Sequence, residues 1–158
     1  MKREMRRKDR ELQYEEAYEV FERAEYATLS LVDGDKPYAI PISFVIKDNE
    51  VYFHSAMEGS KITIIQKNKN AVLSVVGRTK PIYNNKQFTT FYESGIAYGD
   101  ISFVKDDNEK ILALRLLCEK YLPNDMDKFD QAIEMSLART EIFKLNIATL
   151  TGKHKGTF

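Results

Sequence analysis

The spacing of apolar residues changes along the first third of the chain and predicts a helix followed by three strands. Apolar side chains first recur at the spacing of one helix face, at Leu12, Ala17, Val20, Phe21 and Ala24. That spacing predicts a helix over 12–24. β-rich segments then occupy 26–32, 38–46 and 50–55, and the polar turns DGDKP and KDN separate them. Short polar turns between such segments predict an antiparallel meander.

The middle of the chain predicts one helix and two further strands. A helix over 60–69 would carry lysines in its last turn, as the negative end of the helix dipole favours. The segment AVLSVVG at 71–77 is apolar at nearly every position, which is typical of a strand covered on both faces. A polar loop separates it from a strand over 92–104, where Gly95 and Gly99 indicate bulges or close backbone approach.

The last third of the chain predicts two helices and a closing strand. Asp106 and Glu109 have the spacing of a capping box ahead of a helix over 110–122. A second amphipathic helix over 125–138 is expected. Its apolar face would be formed by Met126, Phe129, Ile133 and Leu137. Apolar and polar residues alternate over 141–153, which predicts a half-buried strand.

These elements predict one domain that is mainly β with short α-helices. No repeat, low-complexity segment or linker divides residues 1–158, so a single domain is expected, with a basic N-terminal arm over 1–10. That arm carries six basic and two acidic side chains. Because tight turns join most of the strands, the pattern favours an antiparallel barrel over a doubly wound sheet.

The charge balance and the hydropathy of the chain argue against nucleic acid and membrane as partners. Lysine plus arginine equals aspartate plus glutamate, at 24 each, and this zero net charge argues against a nucleic-acid binder. No apolar run approaches the roughly 20 residues that span a bilayer, so no membrane partner is expected. The charged N-terminus is not followed by the apolar segment of a secretory signal. Cys118 is the single cysteine, which suits a reducing cytoplasm and the role of a buried small hydrophobic residue.

Several common catalytic motifs are missing from the sequence. It contains no G-x-S-x-G, H-E-x-x-H or C-x-x-C motif, and its two histidines are His54 and His154. A zinc site is therefore disfavoured, and no metal is expected. No G-x-G-x-x-G follows a predicted strand, which disfavours a Rossmann dinucleotide site.

The segment VYFHSAMEGSKI at 51–62 carries the first candidate chemistry. If Ser60 caps the following helix, the first N–H groups of that helix lack partners and point outward. Lys61 adds a full positive charge there, and the hydroxyls of Ser55 and Ser60 add donors, which together suit a phosphate monoester. The alternative is an ordinary helix cap with Lys61 in solvent. His54 is equally compatible with a structural and a functional role.

A proline inside an apolar strand gives the second clue. Pro41 lies in YAIPISFVI and removes a ladder donor, so the simplest interpretation is an edge strand. The functional interpretation is that pairing is interrupted there. The backbone groups of Ile40 and Ile42 would then be free to hydrogen-bond a planar heterocycle.

Six sequence blocks together resemble the pyridoxamine-phosphate-oxidase-like flavoproteins with a split β-barrel. The blocks are MRRKDREL, YATLSLVDGDKPYAIPISFV, VYFHSAMEGSKI, FTTFYESGIAYG, EKILALRLLCEKY and IATLTGK. Their order spans nearly the whole chain, and YFHSAMEGSK is the most specific. The nearer match is the nitroimidazole-resistance (nitroimidazole-reductase-like) branch.

The resemblance implies an FMN-binding split barrel that forms a homodimer with the flavin in a groove between subunits. It places Ser55, Ser60 and Lys61 at the FMN phosphate. It places the isoalloxazine ring against the strand that contains Ile40, Pro41, Ile42 and Ser43. It also implies that FMN is bound in preference to FAD.

The remaining implied site residues lie near the reacting end of the flavin. The resemblance places His54 beside the flavin and the substrate pocket, as a donor of a proton or hydrogen bond. Thr89 and Thr90 would reach the flavin of the other subunit. The sequence departs from pyridoxamine phosphate oxidase itself, because it contains no arginine after Arg139 that could form that enzyme's C-terminal substrate motif.

The function implied by the resemblance is an FMN-dependent oxidoreductase. Reduced nicotinamide would supply electrons, and a small acceptor such as a nitroaromatic or a quinone would receive them. Two alternatives remain open at this point. The chain could bind or store flavin without turnover, or it could be a small barrel that binds no flavin and serves as an interaction module.

Overall fold

The structure is a computed structural model that describes residues 4–158, so the first three residues of the predicted arm lie outside the described residues. Its strands are β1 (Glu11–Leu12), β2 (Ala27–Asp33), β3 (Lys36–Ile42), β4 (Val45–Lys47), β5 (Glu50–Ala56), β6 (Asn70–Asn84), β7 (Gln87–Phe103) and β8 (Thr140–Lys155). Its α-helices are α1 (Tyr14–Arg23), α2 (Ser60–Lys67), α3 (Asp107–Tyr121) and α4 (Phe129–Ser136). Short 3-10 segments cover Lys8–Arg10, Pro123–Lys128 and Leu137–Arg139.

All eight strands belong to one antiparallel sheet. Its order is β3-β2-β6-β7-β8-β5-β4, and β1 pairs with β8 beside this path. The sheet is not closed, because β3 and β4 form its two ends. The predicted class, mainly β and antiparallel with short helices, is confirmed, and the open path agrees with the split barrel that the resemblance implied.

The predicted meander is wrong. β2 and β3 form one hairpin and β4 and β5 form another, as the polar turns indicated, but the hairpins lie at opposite ends of the sheet. The segment 38–46 is therefore divided, and Ser43 and Phe44 belong to neither strand. Local pattern did not reveal this division, because the position of a strand in the sheet depends on pairing with residues far away in sequence.

Helix α1 covers one face of the sheet, where glycines permit close approach. Its buried face consists of Ala17, Val20 and Phe21. A Cβ atom on Gly95 would lie 2.5 Å from the Phe21 ring, which confirms the predicted close approach. Gly99 lies at a register shift between β7 and β8, which confirms the predicted bulge.

The hairpin of β6 and β7 is longer than predicted. The expected polar loop before 92–104 is instead paired strand up to a turn at Asn85 and Lys86. Both turn residues have positive φ, at 49° and 61°, which suits a tight hairpin turn. The strand pattern was missed there because both faces of this extension are largely exposed, so burial imposes no apolar alternation.

One face of the central strands is covered in this chain and the other is open. Ala71, Leu73 and Val75 are buried, whereas Val76 is 61% exposed, so the prediction of a strand covered on both faces fails within one chain. The register aligns uncharged side chains on the open face. We call this set the outer face: Thr28, Ser30, Val72, Ser74, Ile96 and Tyr98.

The helices differ from the predictions mainly at their ends. The Asp106 side chain accepts a hydrogen bond from the Glu109 N–H at 2.9 Å, which confirms the predicted cap of α3. Helix α2 ends two residues earlier than expected, and the helix expected over 125–138 is α4 flanked by 3-10 segments. Cys118 is half-buried. Within residues 4–158, no helix is both long enough and apolar enough to cross a bilayer.

Candidate functional site

The junction between β5 and α2 brings four of the predicted site residues together. His54 and Ser55 lie at the end of β5, and Ser60 and Lys61 form the start of α2. The N-cap is Gly59, so the prediction that Ser60 caps this helix is wrong by one residue. Gly59 has φ 137°, a conformation that side-chain-bearing residues rarely adopt, and open space surrounds the position where its Cβ would be.

The first amide groups at the N-terminus of α2 have no partner among residues 4–158. No side chain of this range caps the helix, and its first turn contains no acidic residue. The first helical bonds run from Ile62 and Thr63 to the Gly59 carbonyl, at 3.1 and 3.5 Å. The N–H groups of Ser60 and Lys61 therefore remain available, and the helix dipole makes this end attractive to an anion.

Two side chains at the junction also lack partners. Ser55 is 6% exposed, and its buried hydroxyl oxygen has no hydrogen-bond partner among the described residues. A buried polar group without a partner costs about 1–3 kcal/mol, so an external ligand would relieve it. Lys61 forms no salt bridge within residues 4–158. Amide donors, a hydroxyl and an unpaired ammonium group fit the phosphate of a flavin mononucleotide.

His54 lies beside this cation. Partial burial lowers the pKa of His54 below its usual 6.5, and the positive charge of Lys61 lowers it further. The imidazole is therefore neutral at pH 7. Its side chain is exposed, although packed neighbours reduce its hydration. His54 makes no hydrogen bond to another side chain of the described residues, so its ring nitrogens are free to contact a ligand.

The edge strand β3 carries the residues expected against the isoalloxazine ring. Its register with β2 runs without a break from Lys36 to Ile42, through Pro41 opposite Thr28. The edge-strand interpretation of Pro41 is thus confirmed, and the interpretation that pairing is interrupted at Pro41 is wrong. Pairing ends one residue later, at Ile42.

The side chains of this strand alternate between core and solvent. Ile42 is buried and Ile40 is half-buried, whereas Pro41 and Ser43 are exposed. Helix α2 packs against β2, the neighbour of β3 in the sheet.

Thr89 and Thr90 lie on a different element from the other predicted residues. They pair with Ile82 and Pro81 on the hairpin extension, and the Thr89 hydroxyl contacts the Lys155 ammonium group. The hairpin tip exposes Phe88, at 90%, and Tyr83, at 64%. Within one chain these threonines belong to a separate surface, as residues directed at a second subunit would.

Two residues at this site were given no site role from the sequence. Gly59 sets the open helix end, and the pair Gly-Ser before a helical segment was its local signal. Tyr121 hydrogen-bonds the backbone of Phe44, directly after Ser43. No local signal could have found Tyr121, because 77 residues separate it from Phe44.

The described residues offer no metal site to this region or elsewhere. Among residues 4–158, no group of three or more histidine, cysteine, aspartate and glutamate side chains is placed to hold a metal ion.

Comparison with protein families gives one match over most of the chain. A family model described as pyridoxamine 5'-phosphate oxidase matches residues 13–154. A comparison with curated proteins finds no match.

Comparison with solved structures finds the same fold in several proteins. A candidate 5-nitroimidazole antibiotic resistance protein from Bacteroides thetaiotaomicron superposes with a TM-score of 0.79 and 23% identity, covering 91% of this chain and 86% of that chain. An FAD- and heme-binding protein from Mycobacterium smegmatis gives a TM-score of 0.80 and 19% identity, covering 92% of this chain and 73% of that chain. An FAD-binding protein from Mesorhizobium loti gives a TM-score of 0.62 and 18% identity, covering 93% of this chain and 98% of that chain. At these identities the likeness establishes the fold.

Proposed function

The chain belongs to the pyridoxamine 5'-phosphate oxidase family, and we propose that it is an FMN-dependent oxidoreductase that reduces a small acceptor such as a nitroaromatic or a quinone. The observation that carries the proposal is the β5–α2 junction. Within residues 4–158, this junction combines a helix end without a side-chain cap, a lysine without a salt bridge and, in the preceding strand, a buried hydroxyl without a hydrogen-bond partner. The structural relatives named for FAD binding support a flavin as the class of ligand.

The phosphate of FMN is assigned to the junction. The N–H groups of Ser60 and Lys61 would donate to its oxygens, the Lys61 ammonium group would offset its charge, and Ser55 would gain a hydrogen-bond acceptor. A phosphate monoester carries about −1.5 to −2 charges at pH 7, which exceeds the half charge of a helix N-terminus. The lysine in the first turn is therefore required for charge balance.

The isoalloxazine ring is assigned to the free edge of β3. Ile40, Pro41, Ile42 and Ser43 would provide a flat surface with unpaired backbone groups, because β3 ends the sheet on that side. A planar heterocycle can bind such an edge by hydrogen bonds to the backbone and apolar contact. The exposed side chains of Pro41 and Ser43 leave room for this contact.

A bound flavin supplies the redox chemistry, by accepting hydride from reduced nicotinamide and passing electrons to the acceptor. The residues of this chain would bind, orient and protonate. His54 is neutral at pH 7, so its N–H would donate a hydrogen bond to the acceptor and its protonated form would deliver a proton. Pyridoxamine phosphate oxidation itself is not proposed, because no arginine follows Arg139.

A homodimer with the flavin at the subunit interface is part of the proposal. The outer face is uncharged and includes Tyr98, which is 45% exposed, and Ile96, which is 36% exposed. Exposed apolar surface of this kind is typical of a face that a partner covers. Thr89 and Thr90 on the hairpin extension would then contact the flavin of the partner. Light scattering is expected to give a dimer, and a monomer that binds flavin fully would contradict this arrangement.

The absorption spectrum and cofactor mass of the purified protein test the proposed function. We expect flavin absorption bands and a cofactor with the mass of FMN. NADH or NADPH should reduce this flavin, and nitroaromatics or quinones should reoxidise it. A sample that stays colourless after incubation with FMN would contradict flavin binding. Bound flavin without turnover against any acceptor would favour a binding or storage protein, and the mass of FAD would change the assigned cofactor.

A further inference from the structure

The two-residue link between β3 and β4 is where the sheet opens. Ser43 and Phe44 belong to neither strand, although the flanking strands occupy opposite ends of the sheet. Phe44 is fully buried, and its ring packs edge-on against Phe21 at a centroid distance of 6.1 Å. Its backbone N–H and C=O are therefore out of reach of water and of a ladder partner, and buried backbone groups require other partners.

Tyr121 supplies those partners from the last turn of α3. The Phe44 N–H donates to the Tyr121 hydroxyl oxygen at 3.0 Å. The hydroxyl group also lies 3.0 Å from the Phe44 carbonyl oxygen and 2.6 Å from the Glu25 carbonyl oxygen, either of which accepts its proton. One phenol thus joins the end of α3, the residue two positions before β2, and the opening of the sheet.

The state of the phenol suits this role. Burial raises the pKa of Tyr121, and its contacts with the Phe44 backbone and the Ser43 side chain oppose that rise in part. The group is therefore a protonated phenol at neutral pH, able both to donate and to accept.

The neighbouring residue holds Phe44 from a second side. The Lys120 ammonium nitrogen lies 3.8 Å from the centroid of the Phe44 ring and has no hydrogen-bond partner among residues 4–158. A cation over an aromatic face is attractive, and desolvation strengthens the attraction. Phe44 is thereby fixed by its backbone and its ring, both from the end of α3.

We propose that Tyr121 is a positioning residue for the flavin, because its hydroxyl fixes the Ser43–Phe44 link and so sets where Ser43 and the end of β3 meet the isoalloxazine ring. This inference rests on the proposed function. It assigns to α3, which carries none of the proposed flavin contacts, control over the shape of the ring-binding edge. Tyr121 acts through Ser43 and need not touch the flavin.

Substitution Tyr121→Phe removes the hydroxyl and keeps the ring. The dissociation constant for FMN is expected to rise about tenfold, as the loss of one hydrogen bond that holds the site would produce. The visible absorption spectrum and the midpoint potential of the bound flavin are expected to change as well, because Ser43 shifts relative to the ring. A purely structural loss of stability would leave both spectrum and potential unchanged.

Tyr52→Phe is the matched control. The Tyr52 hydroxyl also makes two short hydrogen bonds, to Glu50 and Glu109 at 2.6 and 2.9 Å, but these lie beneath the other end of α3. The control is expected to lower stability while leaving the FMN dissociation constant, spectrum and potential as in wild type. If Tyr121→Phe matches wild type in these three properties, or if the control changes them equally, the inference is overturned.

A second measurement does not depend on the folding of a variant. Fluorotyrosine incorporation gives each tyrosine a 19F NMR signal, and the signal of Tyr121 is expected to shift when FMN binds the wild-type chain. An unchanged signal in a protein that has bound FMN overturns the inference and leaves the proposed function intact. Failure of the wild-type chain to bind FMN overturns the proposed function instead.

Discussion

Helices α2 and α3 begin in opposite ways. Helix α3 starts with a side-chain cap, Asp106, and its first turn contains two acidic residues. One of these, Glu109, accepts hydrogen bonds from Tyr52 at 2.9 Å and Lys144 at 2.7 Å. Helix α2 has Gly59 as its N-cap, receives no side-chain cap from the described part of the chain and carries Lys61 where an acidic residue would be favourable. The N-terminus of α3 is thus capped within the chain, whereas the N-terminus of α2 has free donors among the described residues.

Strand β5 shows the same contrast over two residues. Tyr52 and His54 point to the same side of the strand, but Tyr52 is buried with two hydrogen bonds and His54 is exposed with none to a described side chain. The side chains near α3 stabilise the fold. Those near α2 leave donors and charge unused, and such local inconsistencies are typical of functional sites.

The largest expected effect is that of Lys61→Glu. Loss of a charge-assisted contact and the new repulsion should weaken FMN binding by about 4 kcal/mol, or roughly 1,000-fold. The same change places a favourable charge at the helix N-terminus, so the free energy of unfolding without flavin should rise by about 0.5 kcal/mol. Equilibrium dialysis and urea unfolding measure the two quantities.

Lys67→Glu is the matched control for that substitution. It makes the same change of charge in the last turn of α2, where a negative side chain is unfavourable. We expect slightly lower stability and unchanged FMN binding. If the two variants weaken FMN binding equally, net charge and not the helix end controls binding.

The next largest effect is that of His54→Ala on turnover. Removing a general acid typically lowers the rate about 100-fold, and flavin binding should be retained. Because the pKa of His54 is lowered, the wild-type rate is expected to rise as the pH falls below 6.5, and the variant should lack this rise. Stopped-flow measurement of the reoxidation of the reduced protein by a nitroaromatic gives both the rate and its pH dependence. Equal rates in variant and wild type would show that His54 has no catalytic role.

A smaller effect is expected at the closed helix end. Asp106→Ala removes the cap of α3 and should lower the free energy of unfolding by about 1 kcal/mol. FMN binding should be unaffected, because the N-terminus of α3 carries none of the residues assigned to the flavin and its Glu109 is paired with Lys144. Urea unfolding and a flavin titration check the two statements, and weakened FMN binding in this variant would argue against separate roles for the two helix ends.

The smallest expected effect is a loss of stability at the N-terminus of α3 at low pH that the N-terminus of α2 does not share. The hydrogen bond from Lys144 lowers the pKa of Glu109 below its usual 4.5, and the bond from Tyr52 acts in the same direction. Its contribution to stability is therefore present above pH 4.5 and is lost as the pH falls through the lowered pKa. Hydrogen exchange at pH 4 and below should show loss of protection in the first turn of α3 before α2. Simultaneous loss would contradict this.

Local signals in the sequence predicted those parts of the fold that depend on near neighbours. The cap at Asp106, the bulge at Gly99 and the edge character of Pro41 each follow from residue chemistry within a few positions. The hairpin before 92–104 was missed because exposed strands show no apolar alternation. The division at Ser43 was missed because it results from pairing between distant strands.

The candidate site divides in the same way. The β5–α2 junction could be recognised from the sequence because Ser55, Ser60 and Lys61 lie within seven positions of one another, and its assignment to a phosphate stays a prediction. The start of the helix at Ser60 is confirmed, but the N-cap was misplaced by one residue, since Gly59 acts through its backbone conformation and offers no side chain to recognise. Tyr121 was beyond prediction, because only the folded chain brings it to Phe44.

A comparison of FMN with riboflavin measures the central claim, that the open end of α2 binds a phosphate. Calorimetry should show that the wild-type chain binds FMN at least about 100-fold more tightly than riboflavin, as two or more charge-assisted hydrogen bonds would produce. In Lys61→Glu that preference should disappear, because riboflavin lacks the group that the substitution repels. Equal affinity of the wild-type chain for the two flavins, or a preference that survives the substitution, would contradict the account.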